Sequence, residues 1–152
     1  MLALKPLIPA AAILFSTSAN AIGCYVTGKS FDNMHGALNT FGVDTTEEVK
    51  NDINTTCGIV AGKTFKRGDP SYSRCSTWEV YVGDGAWNHI NWEIRLQDGG
   101  SADSLVMSYE KCVNALNREL SGCSTGSEQN NGGFYYKIDP NNGPCGTPQS
   151  DS

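Results

Sequence analysis

Four polar residues at every second position, His89, Asn91, Glu93 and Arg95, form the stretch of this chain best suited to chemistry. On a strand, side chains two apart point the same way, so the four share a face with Trp87. The preceding run adds Glu79 and Tyr81 to that face across a Gly83-Asp84-Gly85 hairpin turn. An imidazole, a carboxylate and a guanidinium on one surface supply a general base, a general acid and a clamp for phosphate charge, the set a ribonuclease needs. The same face also sets an indole and a phenol beside amide and carboxylate groups. That combination suits a sugar, whose C–H faces stack on rings and whose hydroxyls need directed partners. A third reading is a solvated sheet exterior whose cross-strand ion pairs each contribute little.

The elements that position these residues follow from periodicity. Trp78, Val80 and Val82 on one arm of the hairpin, and Ile90, Trp92, Ile94 and Leu96 on the other, form the opposite, apolar face. Trp78 and Trp92 are therefore expected in the core. A helix over residues 44–57 opens on Asp44, with Glu47 completing a capping box and Val49 and Ile53 as its apolar stripe. A second helix, 103–121, is predicted from Leu105, Val106, Tyr109, Cys112, Val113, Leu116 and Leu120, with Gly122 as its stop. Phe134, Tyr136 and Ile138 alternate with Tyr135 and Lys137 as a half-buried strand, and Asp139-Pro140-Asn141-Asn142-Gly143 reads as a turn after it. Short strands are expected over 24–28 and 58–65, and an exposed loop over 121–133. These elements predict an α+β fold: an antiparallel sheet of about five strands with two main helices packed on it, disulfide-stabilised.

Residues 1–21 read as an export signal. Lys5 precedes a short apolar core from Leu7 to Phe15, and Ala19-Asn20-Ala21 offers the small residues of a cleavage site. That core is too short to span a bilayer, so no membrane association is expected. Residues 22–152 then form a single secreted domain. All six cysteines, Cys24, Cys57, Cys75, Cys112, Cys123 and Cys145, follow the cleavage point. An even count in an exported chain argues for three disulfides, with fifteen pairings open. The close C-x-x-C pairs of zinc sites are missing, so neither a metal nor a cofactor is expected.

The chain carries a net charge of −5, and loss of the leader removes Lys5, leaving ten basic against sixteen acidic side chains. Such a surface repels phosphate backbones and disfavours nucleic acid as a partner. Asn54-Thr55-Thr56 is an N-glycosylation pattern, which export would make usable at Asn54. Arg67-Gly68-Asp69 occurs in an ordinary turn composition and is read as such. Glycoside hydrolysis would need facing carboxylates, for which Glu79 and Glu93 are the pair that adjoining strands offer. Sequence patterns of other common hydrolases and of phosphate-binding loops are missing.

The arrangement of Cys112, Leu116, Glu119, Gly122 and Cys123, then Gly132-Gly133, Phe134-Tyr135-Tyr136, Asp139-Pro140-Asn141, Gly143 and Cys145, resembles the Y-three-like family of small fungal secreted glycan-binding proteins. About a quarter of the chain carries the match. The resemblance implies an α+β domain that binds glycans or glycoproteins without performing chemistry on them, in a role such as an effector acting on a host or competitor. It assigns no sugar-contacting residue, because the matched positions build turns and cross-links. From the residues themselves, two places combine a ring with amide or carboxylate groups. One is the sheet face with Tyr81, Trp87, His89, Asn91 and Glu93; the other is a loop pair, 129–131 with 139–142, that includes Asn141. The sheet face is preferred because strand-borne side chains are better fixed. The alternative function is a small guanyl-specific-like ribonuclease using His89, Glu93 and Arg95.

Overall fold

A computed structural model of the chain describes residues 23–34, 45–79 and 87–146, and the segment 1–21, expected to be an export signal, lies outside them. Beyond a 3-10 turn at Phe31–Asn33, the elements in order are α1 (Thr45–Val60), β1 (Thr64–Lys66), β2 (Tyr72–Glu79), β3 (Trp87–Leu96), β4 (Ser104–Val106), α2 (Tyr109–Gly122), β5 (Ser127–Asn131) and β6 (Phe134–Asn142). The α+β class and the two helices agree with the sequence. The strands divide into an antiparallel sheet in the order β2-β3-β6-β5 and a two-stranded ribbon of β1 and β4, instead of one five-stranded sheet.

Both helices pack on one face of the larger sheet. Val49, Ile53, Cys57 and Val60 of α1 and Cys112, Ala115 and Leu116 of α2 join Ile90, Trp92, Ile94, Tyr136 and Ile138 in a single core. Burying so many aliphatic and aromatic side chains is the main source of stability, at roughly 1.5 to 3 kcal/mol each. Trp78 and Trp92 lie in this core as expected. A polar network ties α1 to the sheet through that layer. Arg74 Nη1 donates to Asp52 Oδ1 at 2.5 Å and to Thr56 Oγ1 at 2.7 Å, Ser76 donates to Asp52, and Trp92 Nε1 donates to Ser76 Oγ at 2.5 Å.

Several boundaries differ from expectation for local reasons. α1 runs on through Gly58 to Val60, because the spacing Val49, Ile53, Cys57, Val60 keeps one face buried; a strand forms only at Thr64–Lys66. α2 begins at Tyr109, not near Asp103. Ser108 caps it by accepting from Lys111 N–H at 3.2 Å, while Leu105 and Val106 pair with Phe65 and Thr64 as β4. Residues 24–28 contribute a single bridge, Cys24 with Ser127, in place of a strand. The stretch expected as a loop contains β5. Gly132 and Gly133, with φ of 58° and 87°, form the two-residue turn that pairs Asn131 with Phe134. β6 extends through Pro140, which faces Ile90 of β3 beyond the end of β5. With β3 alone paired beside it, the missing proline N–H is tolerated as on an edge. Arg67 is engaged within the fold, donating to Asp103 Oδ1 at 3.1 Å and to the Gly100 and Ala102 carbonyls.

The disulfides are Cys24–Cys123, Cys57–Cys112 and Cys75–Cys145. The second joins the two helices inside the core. The other two tie the terminal segments to the outer parts of the domain, and they matter for the site.

Candidate functional site

The face of the sheet away from the helices collects the alternate residues of four strands. Antiparallel register sets Glu93 opposite Ser73 of β2 and Lys137 of β6, Asn91 opposite Cys75 and Asp139, and Arg95 opposite Tyr135. Glu128 of β5 stands opposite Lys137. A cleft of about 370 Å³ opens here, lined by Ser73, Arg74, Cys75, Asn91, Trp92, Glu93 and Lys137. Its size is at the low end for small-molecule sites.

Glu93, Arg95, Lys137 and Asp139 each have a neighbour of opposite charge on the same surface. Arg95 Nε lies 3.4 Å from Glu93 Oε1, and the same guanidinium also pairs with Asp98. Lys137 Nζ lies 3.3 Å from Asp139 Oδ2. Two aromatic rings stand over these cations. Arg95 stacks on Tyr135 at 4.1 Å from the ring centre, and Lys137 lies 5.9 Å from that of Tyr25. Tyr135 donates its hydroxyl proton to Glu128 Oε2 at 2.9 Å. Tyr25 is carried by the amino-terminal segment, whose backbone bonds to the Gly126 carbonyl at 3.0 Å. Burial raises the hydroxyl pKa of both tyrosines above the usual phenol value. Nearby carboxylates add to the rise, Asp139 and Glu128 at Tyr25 and Glu128 and Glu93 at Tyr135. Both rings therefore keep their hydroxyl protons and act as donors at neutral pH.

The carboxyl-terminal segment closes one end of this surface. After Asn142 the chain crosses β3 toward β2. Gly143 N–H donates to the Trp87 carbonyl at 2.7 Å, and Cys145 is bound to Cys75 and accepts from the Thr77 hydroxyl at 2.9 Å. The crossing covers His89, which is 1 % exposed. Its Nδ1 bonds to the Gly143 carbonyl at 2.8 Å, and because a carbonyl only accepts, the ring proton sits on Nδ1. Nε2 is then the acceptor for Asn91 Nδ2 at 3.3 Å.

The residues singled out from sequence are thus divided. Asn91 and Glu93 line the cleft. Arg95 is beside it, His89 is enclosed beneath the tail, and Tyr81 lies outside the described residues. Trp87 is 39 % exposed but on the far side of the tail, and six residues of strand, roughly 20 Å, separate it from Glu93. Asn141 pairs with His89 and donates to the Asp139 carbonyl at 2.9 Å. The expected loop pair does not form, since 129–131 and 139–142 lie in strands and at opposite ends of the β5–β6 pair. Glu79 is opposite Trp87, roughly 20 Å along β2 from the partner of Glu93, too far for paired hydrolytic carboxylates.

Ser73, Lys137, Tyr135 and Tyr25 were not marked by sequence, and Asp139 was marked only as part of the loop pair. The alternation of Tyr135, Lys137 and Asp139 is the signal that finds three of them, once β6 is known to lie beside β3. Among the described residues no group of three His, Cys, Asp or Glu side chains is placed to hold a metal. Comparison with known protein families and with curated proteins finds no match.

Proposed function

We propose that the protein is a secreted glycan-binding protein of the lectin type, and that it holds sugar in the cleft bounded by Asn91, Glu93 and Lys137. The observation that carries this reading is the cleft itself. Amide, carboxylate, ammonium and hydroxyl groups converge there within a small volume, with the rings of Tyr25 and Tyr135 fixed beside the flanking cations. The groups are donors and acceptors of fixed direction, which sugar hydroxyls require. The volume suits a short stretch of sugar rather than a long chain. The Y-three-like resemblance of the stretch from Cys112 to Cys145 supports the same class, and glycans or glycoproteins are the partners it implies.

Three disulfides, together with the apolar leader, support export. Among the described residues no helix is long and apolar enough to cross a membrane. The ribonuclease alternative has less support, because His89 is enclosed with both ring nitrogens occupied. Proton transfer to a substrate requires reach that this ring lacks.

A glycan array probed with recombinant 22–152 tests the proposal. Saturable binding that is weakened about tenfold in Lys137→Ala and kept in Trp87→Ala is expected. The reverse pattern moves the site to the Trp87 end, and no binding to any sugar sinks the lectin reading. RNA incubated with the pure protein should stay intact, and cleavage that disappears in His89→Ala would establish the ribonuclease alternative instead.

A further inference from the structure

The Asn54-Thr55-Thr56 tripeptide is remote from the cleft, on α1, which packs against the other face of the sheet. Asn54 is exposed, and its Oδ1 accepts a 3.2 Å hydrogen bond from the Tyr109 hydroxyl at the start of α2. The Tyr109 ring is 44 % exposed. One turn beyond Asn54 stands Gly58, where an added Cβ would meet nothing within 4 Å. Glycine inside a helix is unfavourable relative to alanine, and here it leaves the surface beside Asn54 clear. Thr56 is the opposite case. It is fully buried, and its Oγ1 is held by Arg74 at 2.7 Å.

We propose that Asn54 is N-glycosylated before α1 docks on the sheet, and that the first sugar of the attached glycan packs on the exposed ring of Tyr109. The transferase that uses this tripeptide reads the hydroxyl at its third position. In the folded protein that hydroxyl is shut beneath α1, so the unfolded chain is the substrate. In the transfer, Asn54 Nδ2 bonds to the anomeric carbon of an oligosaccharide carried on a lipid diphosphate. The anomeric C–O bond breaks, its electron pair leaves on the diphosphate, and one amide proton passes to a base of the transferase. Oδ1 is unchanged, so the bond from Tyr109 survives modification. A sugar on Nδ2 then has open surface over Gly58 and an aromatic ring beside it for its C–H face. The inference depends on export and is independent of the cleft.

The full chain is expressed in a eukaryotic secretory host, and protein from the medium is treated with peptide N-glycosidase in heavy-oxygen water, which marks each modified asparagine as aspartate. Asn54 should carry the mark. Disulfide-bonded protein in the medium with unmodified Asn54 overturns the assignment. Asn54→Gln should be secreted without glycan, keep the parent's sugar binding, and show several-fold faster nitration of Tyr109 by tetranitromethane; equal nitration overturns the packing on Tyr109. Offered a transferase and its lipid-linked donor, reduced and alkylated chain should be modified and the folded, disulfide-bonded chain refused, whereas equal modification overturns the order of events. A chain that never enters the secretory route refutes this inference and the export reading together. A glycosylated protein that binds no sugar counts against the cleft proposal alone.

Discussion

On the helix-covered face of the sheet, Trp92, Ile94, Tyr136 and Ile138 are closed off from water, and the polar groups that enter the layer are paired across elements, Asp52 of α1 with Arg74 and Ser76 of β2. On the other face the charged groups are also paired, but with neighbours on the same surface, Glu93 with Arg95 about a third exposed and Lys137 with the largely buried Asp139. The same strands build both faces by alternation. What differs is where the partner comes from. A pair that joins two elements holds the fold together, and a pair within one solvated surface adds little to stability but fixes side chains for a ligand. Stability and recognition should therefore respond to different substitutions.

The largest effect should come from Trp92→Ala, which removes a buried indole and leaves a cavity between α1 and the sheet. A loss of about 3 to 5 kcal/mol in urea unfolding is expected, and a loss below about 1 kcal/mol would break the division between the faces. Asp52→Ala follows. It strips a mostly buried guanidinium of its carboxylate and should cost about 2 to 3 kcal/mol in the same measurement.

The opposite face should answer in binding rather than stability. Glu93→Ala is expected to change unfolding by no more than about 0.5 kcal/mol, and Lys137→Ala, which takes the ammonium from beside the largely buried Asp139, by about 1 kcal/mol. By calorimetry against a sugar identified on the array, each should weaken affinity about tenfold, or roughly 1.4 kcal/mol. Destabilisation by either variant as large as that of Asp52→Ala would show that the solvated pairs also carry the fold.

The smallest effect concerns pH. Glu119 of α2 is buried; Oε2 accepts from Ser127 at 2.6 Å, and Oε1 has no hydrogen-bond partner among the described residues. Burial raises its carboxyl pKa above the usual value, against a smaller lowering by the Ser127 hydrogen bond and by Arg118. A folded pKa above the unfolded one means the group favours folding fully below the unfolded pKa and loses that contribution as pH rises through the folded one. Thermal melts of Glu119→Gln should match the parent in acid and lie above it at neutral pH. Curves that stay parallel across the range would show that Glu119 does not titrate in this window.

The face with Asn91, Glu93 and Arg95 was legible because strict alternation with Ile90, Trp92 and Ile94 fixes both the strand and its sides. β5 was not, since Ser127, Gln129 and Asn131 point inward without an apolar signal and the strand is held by its ladder and the Gly132-Gly133 turn. The start of α2 was misjudged because Leu105 and Val106 fit a helical period as well as a three-residue strand. Lys137 could enter the site, and Asp139 move from the expected loop pair to it, only once β6 was placed beside β3. The enclosure of His89 depends on Cys75–Cys145, a contact across 70 residues that no local pattern announces.

The placement of the disulfides sets an order of loss under reducing conditions. Cys57 and Cys112 are sealed in the core, whereas Cys24 and Cys145 are at the surface. Thiol exchange requires access to a sulfur, so a mild reductant reaches the two outer bridges first. Those bridges hold the segment that bears Tyr25 and the tail that covers His89. The first product of reduction is then expected to keep the Cys57–Cys112 bridge in the core while the cleft has lost both borders.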